Sequence, residues 1–299
     1  MPHLMTFASS GLDTFDLFRM GPVDKRCRDF ISSPGTWRGR HLCLSNLKFV
    51  KSEQLLAFLE CGRHRWEHIA AITFPGKVRP SASAVPRLKL FLPNLRALHQ
   101  LPYGDSWREV TVNNLLRAFP DIETLSLAPF STMPAETPLL RLRVLTIDSA
   151  WDFHRQPQQV WERLPENFPV LETLNVPCSP WACESFAKPS TKDAFLRPLR
   201  RMPRLAEVDF SRVLTLTDQG LGELGAVPGL RRVGLRAMGG HVTGAGLRSL
   251  LAAPALERVD CSGCLLRADG GNRETATLIT WDDVVQARER FPGIAIVFS

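Results

Sequence analysis

The sequence predicts an α/β solenoid in which each unit supplies one short strand and one helix, so that strands line one wall and helices the other. Three observations predict it. An apolar triplet at relative positions 1, 4 and 6 recurs along the chain, the intervals between its first members cluster near 26 residues, and the stretches between triplets switch to helical spacing. Composition agrees, since 299 residues with 44% hydrophobic and 22% charged content suit a globular chain with a full core.

The triplet is usually announced by a proline. It occurs as Pro93 with Leu95, Leu98 and Gln100, then Pro120 with Ile122, Leu125 and Leu127, then Pro169 with Leu171, Leu174 and Val176. It returns as Pro203 with Leu205, Val208 and Phe210, Pro228 with Leu230, Val233 and Leu235, and Pro254 with Leu256, Val259 and Cys261. Looser copies are Ile69, Ile72 and Phe74, then Leu142, Leu145 and Ile147, and a compressed Ile294, Ile296 and Phe298. Positions 4 and 6 point to one face of a strand because side chains alternate with period two, and the residue between them faces the other way.

Between strands, Leu221, Leu224 and Val227, or Leu247, Leu250 and Leu251, or Leu115, Leu116 and Phe119, follow a helical stripe. Thr217, Thr243 and Thr280 precede three such stripes, and a threonine oxygen accepts a free first-turn N–H. The following proline marks the end, since the residue before it avoids helical geometry.

These units resemble leucine-rich repeats of the helix-bearing kind, as in ribonuclease-inhibitor-like and cysteine-containing repeats. The copies from Met202 to Cys264 carry the resemblance best, through Leu230-Arg231-Arg232-Val233-Gly234-Leu235, Val242-Thr243-Gly244-Ala245-Gly246-Leu247 and Leu256-Glu257-Arg258-Val259-Asp260-Cys261. The resemblance implies a horseshoe-shaped solenoid over residues 41–299, with parallel strands inside and a protein bound on the concave strand face. That face is expected to include Arg143, Glu172, Asn175, Glu207, Asp209, Arg231, Arg232, Arg258 and Asp260, with Trp151 and Trp181 in rim loops as aromatic anchors. Its signs are mixed, which suits another protein's surface better than a uniformly negative nucleic acid, so nucleic acid is not the expected partner.

Ahead of the repeats, residues 1–40 contain Asp16-Leu17, Val23, Lys25-Arg26, Arg28, Phe30-Ile31, Pro34 and Trp37, a spacing that resembles the second half of an F-box. Val23, Cys27, Phe30 and Ile31 form an apolar helical stripe while Lys25, Arg26 and Arg28 stay wet. The resemblance implies docking on a Skp-type adaptor of a cullin-RING (SCF-type) ubiquitin ligase through Leu12, Phe15, Leu17, Phe18, Val23, Lys25, Pro34 and Trp37, the chain serving as substrate-recognition subunit. Two alternatives remain open. The segment can cap the first repeat of a scaffold or assembly factor with a degenerate F-box, Asp24 and Cys27 departing from the family pattern, or the chain can be a bacterial effector imitating such a receptor.

Other features are weighed against packing. Cys61, His64 and His68 are zinc-type ligands without a fourth donor nearby, and are read as a helix end followed by an exposed turn. Cys261 and Cys264 are read as buried thiols, and the glycines of 239–246 as permitting a tight strand-to-helix turn. Arg197, Arg200, Arg201 and Arg204 are read as a solvated helix end. No nucleophile with its base is apparent, so neither an enzyme nor a cofactor is expected.

The net charge of +7 comes mostly from arginine and is spread along the chain. No apolar run is long enough to span a bilayer, residues 1–12 lack a targeting pattern, and seven scattered cysteines make no disulfide framework, so a reduced cytoplasmic or nuclear protein is expected.

Overall fold

The computed structural model describes residues 33–44, 52–74, 81, 83–101, 109–127, 138–147, 161–176, 192–213, 216–238, 241–264 and 279–298. The chain divides into two compact units, residues 1–137 and 138–299.

In the first unit, β1 (His41–Cys43), β2 (Ala71–Thr73), β3 (Ala97–Leu101) and β4 (Thr124–Leu127) pair in parallel and in chain order. Helix α1 (Pro34–Trp37) precedes β1, and α2 (Ser52–Cys61), α3 (Arg63–Trp66), α4 (Ala84–Phe91) and α5 (Glu109–Ala118) lie between the strands in sequence. Parallel neighbours need such crossovers, because a tight hairpin joins only antiparallel strands. Leu42, Ile72, Leu98 and Leu125, all fully buried, occupy equivalent register positions. β1 is a repeat strand that the triplet search did not reveal, because its register puts Gly39 at the first position, where the other units carry an apolar side chain.

The triplet Leu95, Leu98 and Gln100 needs a correction. The register shifts within β3, so that Leu101, not Gln100, stands opposite Leu127. One extra residue in a strand restores an apolar residue to the sixth position, as a β-bulge does.

In the second unit, β5 (Val144–Ile147), β6 (Thr173–Asn175), β7 (Glu207–Asp209), β8 (Arg232–Gly234), β9 (Arg258–Asp260) and β10 (Ala295–Val297) again pair in parallel and in order. The intervening helices are α6 (Leu164–Asn167), a 3-10 helix (Lys192–Arg201), α7 (Asp218–Gly225), α8 (Gly244–Leu251) and α9 (Trp281–Arg290). Every member of the five triplets from Leu142 to Cys261 is buried. Burying a side chain of that size contributes about 1.5–3 kcal/mol, so the repeating triplet is the main cohesive element. The final copy is offset from the expected one, because register pairs Ile296 with Val259 and so makes Gly293 rather than Ile294 its first member.

Thr217, Thr243 and Thr280 cap their helices as expected, accepting from Gln219 N, Ala245 N and Asp283 N. The caps are linked between repeats. Asp193 accepts from the Thr217 hydroxyl, and Asp218 accepts from the Thr243 amide at 2.7 Å and its hydroxyl at 2.6 Å. Gly220 and Gly246 sit where these aspartates press closest, since a Cβ on Gly220 would lie 2.5 Å from Asp193 Oδ1 and one on Gly246 2.8 Å from Asp218 Cα. That corrects the reading of Gly246 as a turn residue: it is helical, and its lack of a side chain admits the preceding repeat's carboxylate.

Candidate functional site

The solvent face of the second sheet is the candidate site. Alternation puts the residues between the buried triplet members on that face, and register arranges them in rows. One row runs Thr173, Glu207, Arg232, Arg258 and Ala295; the next runs Asn175, Asp209, Gly234, Asp260 and Val297.

The charges are ordered rather than scattered. Arg143 donates Nε and Nη2 to the two carboxylate oxygens of Glu172 at 3.0 and 2.9 Å, a forked pair that fixes both planes. Next to it, Asn175 Nδ2 donates to Thr146 Oγ1 at 3.4 Å. Arg236 reaches over Gly234, 3.7 Å from Asp209 on one side and 3.7 Å from Asp260 on the other. Arg231 stands 3.5 Å from Glu257, and Arg232 is 4.0 Å from Glu207.

The two aspartates have a backbone task as well. Asp209 accepts from Ser211 N at 2.9 Å, while Asp260 accepts from Ser262 N at 3.1 Å and Ser262 Oγ at 2.6 Å. Burial pushes the Asp260 carboxyl up, but the Ser262 hydrogen bonds together with Arg236 and Arg258 outweigh it and hold it below the usual range. The turns that follow carry a left-handed residue at matching places, Arg212 (φ 63°), Ala237 (φ 50°) and Gly263 (φ 71°). Asp-x-Ser anchors the turns at Arg212 and Gly263, whereas Gly234-Leu235-Arg236 leads into that at Ala237, and of the three only Gly263 is free of the strain a Cβ brings.

The expected partner residues Arg143, Glu172, Asn175, Glu207, Asp209, Arg231, Arg232, Arg258 and Asp260 are all exposed or half-buried, and all lie on or beside this face. Trp151 and Trp181 lie outside the described residues, as do Leu12, Phe15, Leu17, Phe18, Val23 and Lys25. Pro34 opens α1. Trp37 departs from its expected place on an adaptor surface: it is fully buried, edge-on to Trp66 at 5.5 Å. Its size explains the outcome, since an indole packed against another aromatic ring is covered more favourably than it is left wet.

The arginine cluster is also corrected. Arg197, Arg200 and Arg201 belong to the 3-10 helix, with Pro198 inside it, and are exposed but engaged, while Arg204 follows the helix. Arg197 and Arg200 approach the buried Glu223 at 3.5 and 2.7 Å, and Arg201 reaches Glu166 and the Glu162 carbonyl. Cys61 ends α2 as expected, but His64 lies in the short helix α3 rather than in a turn, and His68 is half-buried beside Glu67 at 3.5 Å. Among the described residues no three His, Cys, Asp or Glu side chains are grouped to hold a metal. Cys261 and Cys264 are buried, with Cys264 Sγ donating to the Leu235 carbonyl at 2.9 Å. The hydrogen bond to Cys264, reinforced by burial, pushes the Cys261 thiol well up, which keeps it protonated.

Sequence reasoning missed a polar cluster on the first sheet. His41 Nε2 lies 2.7 Å from Thr73 Oγ1, and the His41 and His99 rings are 4.9 Å apart. Burial lowers both imidazoles, and His99 lowers His41 further. The two histidines sit 58 positions apart in sequence, so only strand register brings them together.

Parallel strands in chain order, buried apolar positions in register and helical crossovers define each unit as an α/β solenoid of leucine-rich-repeat type, with linked caps in the second. No family model and no curated protein matches the sequence. Several solved structures resemble it. The mouse RP105/MD-1 complex has a TM-score of 0.42 at 16% identity, covering 74% of this chain and 37% of that one. A leucine-rich-repeat protein of Leptospira interrogans has 0.39 at 15%, covering 78% and 55%. The yeast Rad7 and Elc1 complex has 0.30 at 16%, covering 85% and 80%. This chain therefore spans well under two thirds of the first two. Among the described residues no helix is long and apolar enough to cross a membrane.

Proposed function

We propose that the chain is a non-catalytic protein-binding repeat protein whose target docks on the solvent face of β5–β9. The observation that carries this reading is the ordered face itself, with arginines and carboxylates of both signs exposed side by side on a rigid sheet. Such a surface suits a partner protein with its own alternating charges.

The finer reading is a substrate-recognition subunit of an SCF-type ubiquitin ligase. Residues Leu12, Phe15, Leu17, Phe18, Val23 and Lys25 dock on a Skp-type adaptor while the repeats hold the target. Its mechanism is proximity: a held target sees a raised effective concentration of the conjugating machinery. The F-box-like spacing of 12–37 supports this. The burial of Trp37 favours the second reading, a scaffold or assembly factor in which that segment caps the first repeat.

Affinity capture of the full chain from eukaryotic cells separates the readings. A receptor recovers adaptor and cullin, loses both on Leu17→Asp, and loses only its target on Arg143→Glu. Recovery of a target without adaptor or cullin overturns the receptor reading and leaves the scaffold.

A further inference from the structure

Arg232 and Arg258 are in-register neighbours on adjacent parallel strands, so both guanidinium stems rise from points about 4.8 Å apart. Like charges placed opposite one another on a sheet are destabilising. Both are paired only loosely. The Arg232 side chain is 61% exposed with Glu207 at 4.0 Å, and the exposed Arg258 acts on the Asp260 carboxylate through its charge, without an ion pair within 4.0 Å among the described residues.

The surroundings narrow what these arginines fit. Arg231 stands beside them, engaged with Glu257, and Arg236 is spent on Asp209 and Asp260. Along the next row Gly234 carries no side chain, and the Asp209 carboxylate lies against it, since a Cβ there would come within 2.7 Å of Asp209 Oδ1. On the far side Ala295 follows Arg258 in register and adds no charge.

We propose that the Arg232–Arg258 pair is an anion-reading subsite that takes neighbouring carboxylates from an acidic segment of the partner protein. This deepens the protein-binding reading and rests on it. A guanidinium offers a planar fork of donors that matches a carboxylate, and two side by side match two acidic side chains of an extended segment. A phosphorylated side chain fits less well, because Glu207, Glu257 and Asp260 repel a dianion more strongly than a carboxylate.

Fluorescence anisotropy with the full chain and labelled peptides tests it: one alternating Glu and Ser, one alternating Lys and Ser, and one with phosphoserine at the Glu places. The Glu peptide is expected to bind in preference to both others. Arg232→Gln and Arg258→Gln are each expected to weaken it about tenfold, the loss of one charge-assisted contact. Arg87→Gln, which alters a comparable exposed charge in the first unit, is expected to leave it unchanged. Preference for the phosphopeptide, equal weakening by Arg87→Gln, or no binding of the Glu peptide overturns the subsite. If the Glu peptide fails while cellular capture still depends on Arg143, the subsite falls and the protein-binding reading stands. If the peptide binds and no protein is captured through the strand face, the reading falls instead.

Discussion

The two units are built on the same triplet and differ in what they show to solvent. On the first sheet the outward positions of β1–β3 are His41, Cys43, Ala71, Ala97 and His99, with Thr73 buried against His41 and no permanent charge among them. On the second sheet the corresponding positions carry Glu207, Asp209, Arg232, Arg258 and Asp260. Burial constrains only the triplet, because a large side chain must be covered there, whereas the alternate positions are free of that demand. Scaffolds built on the same triplet therefore leave each face open to a different chemistry.

The sharpest check is that the cores do not differ. Leu98→Ala in β3 and Leu174→Ala in β6 each empty a fully buried position flanked by register neighbours of the same kind. Each is expected to cost about 2–5 kcal/mol in chemical denaturation of its own unit. A large inequality would show that one unit's core is looser, and the contrast would no longer lie in the faces alone.

A smaller effect tests the linked caps of the second unit. Asp218→Ala removes the acceptor of the Thr243 amide and hydroxyl and is expected to cost about 1–3 kcal/mol, the penalty of leaving a partly buried donor unmet. The companion substitution Gly222→Ala, where nothing lies within 4 Å of the new Cβ, is expected to stabilise by about 0.5–1 kcal/mol through helix propensity. Gly246→Ala is expected to destabilise, because Asp218 occupies its space. Thermal melts of the three variants give the ordering directly.

Much of the repeat was legible because its signal is periodic. Apolar residues at 1, 4 and 6 and threonines before helices report local rules that hold wherever they occur. β1 was not legible, since Gly39 stands at its first position, nor was the shift that brings Leu101 opposite Leu127. The outward residues of the second sheet were legible from alternation alone. Their pairing was not: that Arg236 bridges Asp209 and Asp260 follows from strand register, a relation between residues some 25 positions apart. The same holds for Asp193 and Thr217, and for Trp37, whose burial depends on meeting Trp66.

The smallest expected effect separates the faces by pH. Burial lowers His41 and His99 below 6.5, so unfolding lets both bind protons more readily. The unfolded state then holds more protons as pH falls, which makes stability complete above 6.5 and progressively lost below it. On the second sheet Asp260 is held below 3.8, so its contribution persists until pH falls past that value. Between pH 7 and pH 5 the first unit is expected to lose amide protection around β1–β3 while β7–β9 keep theirs, as read by hydrogen exchange with intrinsic rates corrected for pH. His41→Gln with His99→Gln is expected to abolish the difference, because a neutral amide does not titrate. Equal loss in both units, or loss that survives the double substitution, would place the titrating groups elsewhere and remove the electrostatic contrast between the two faces.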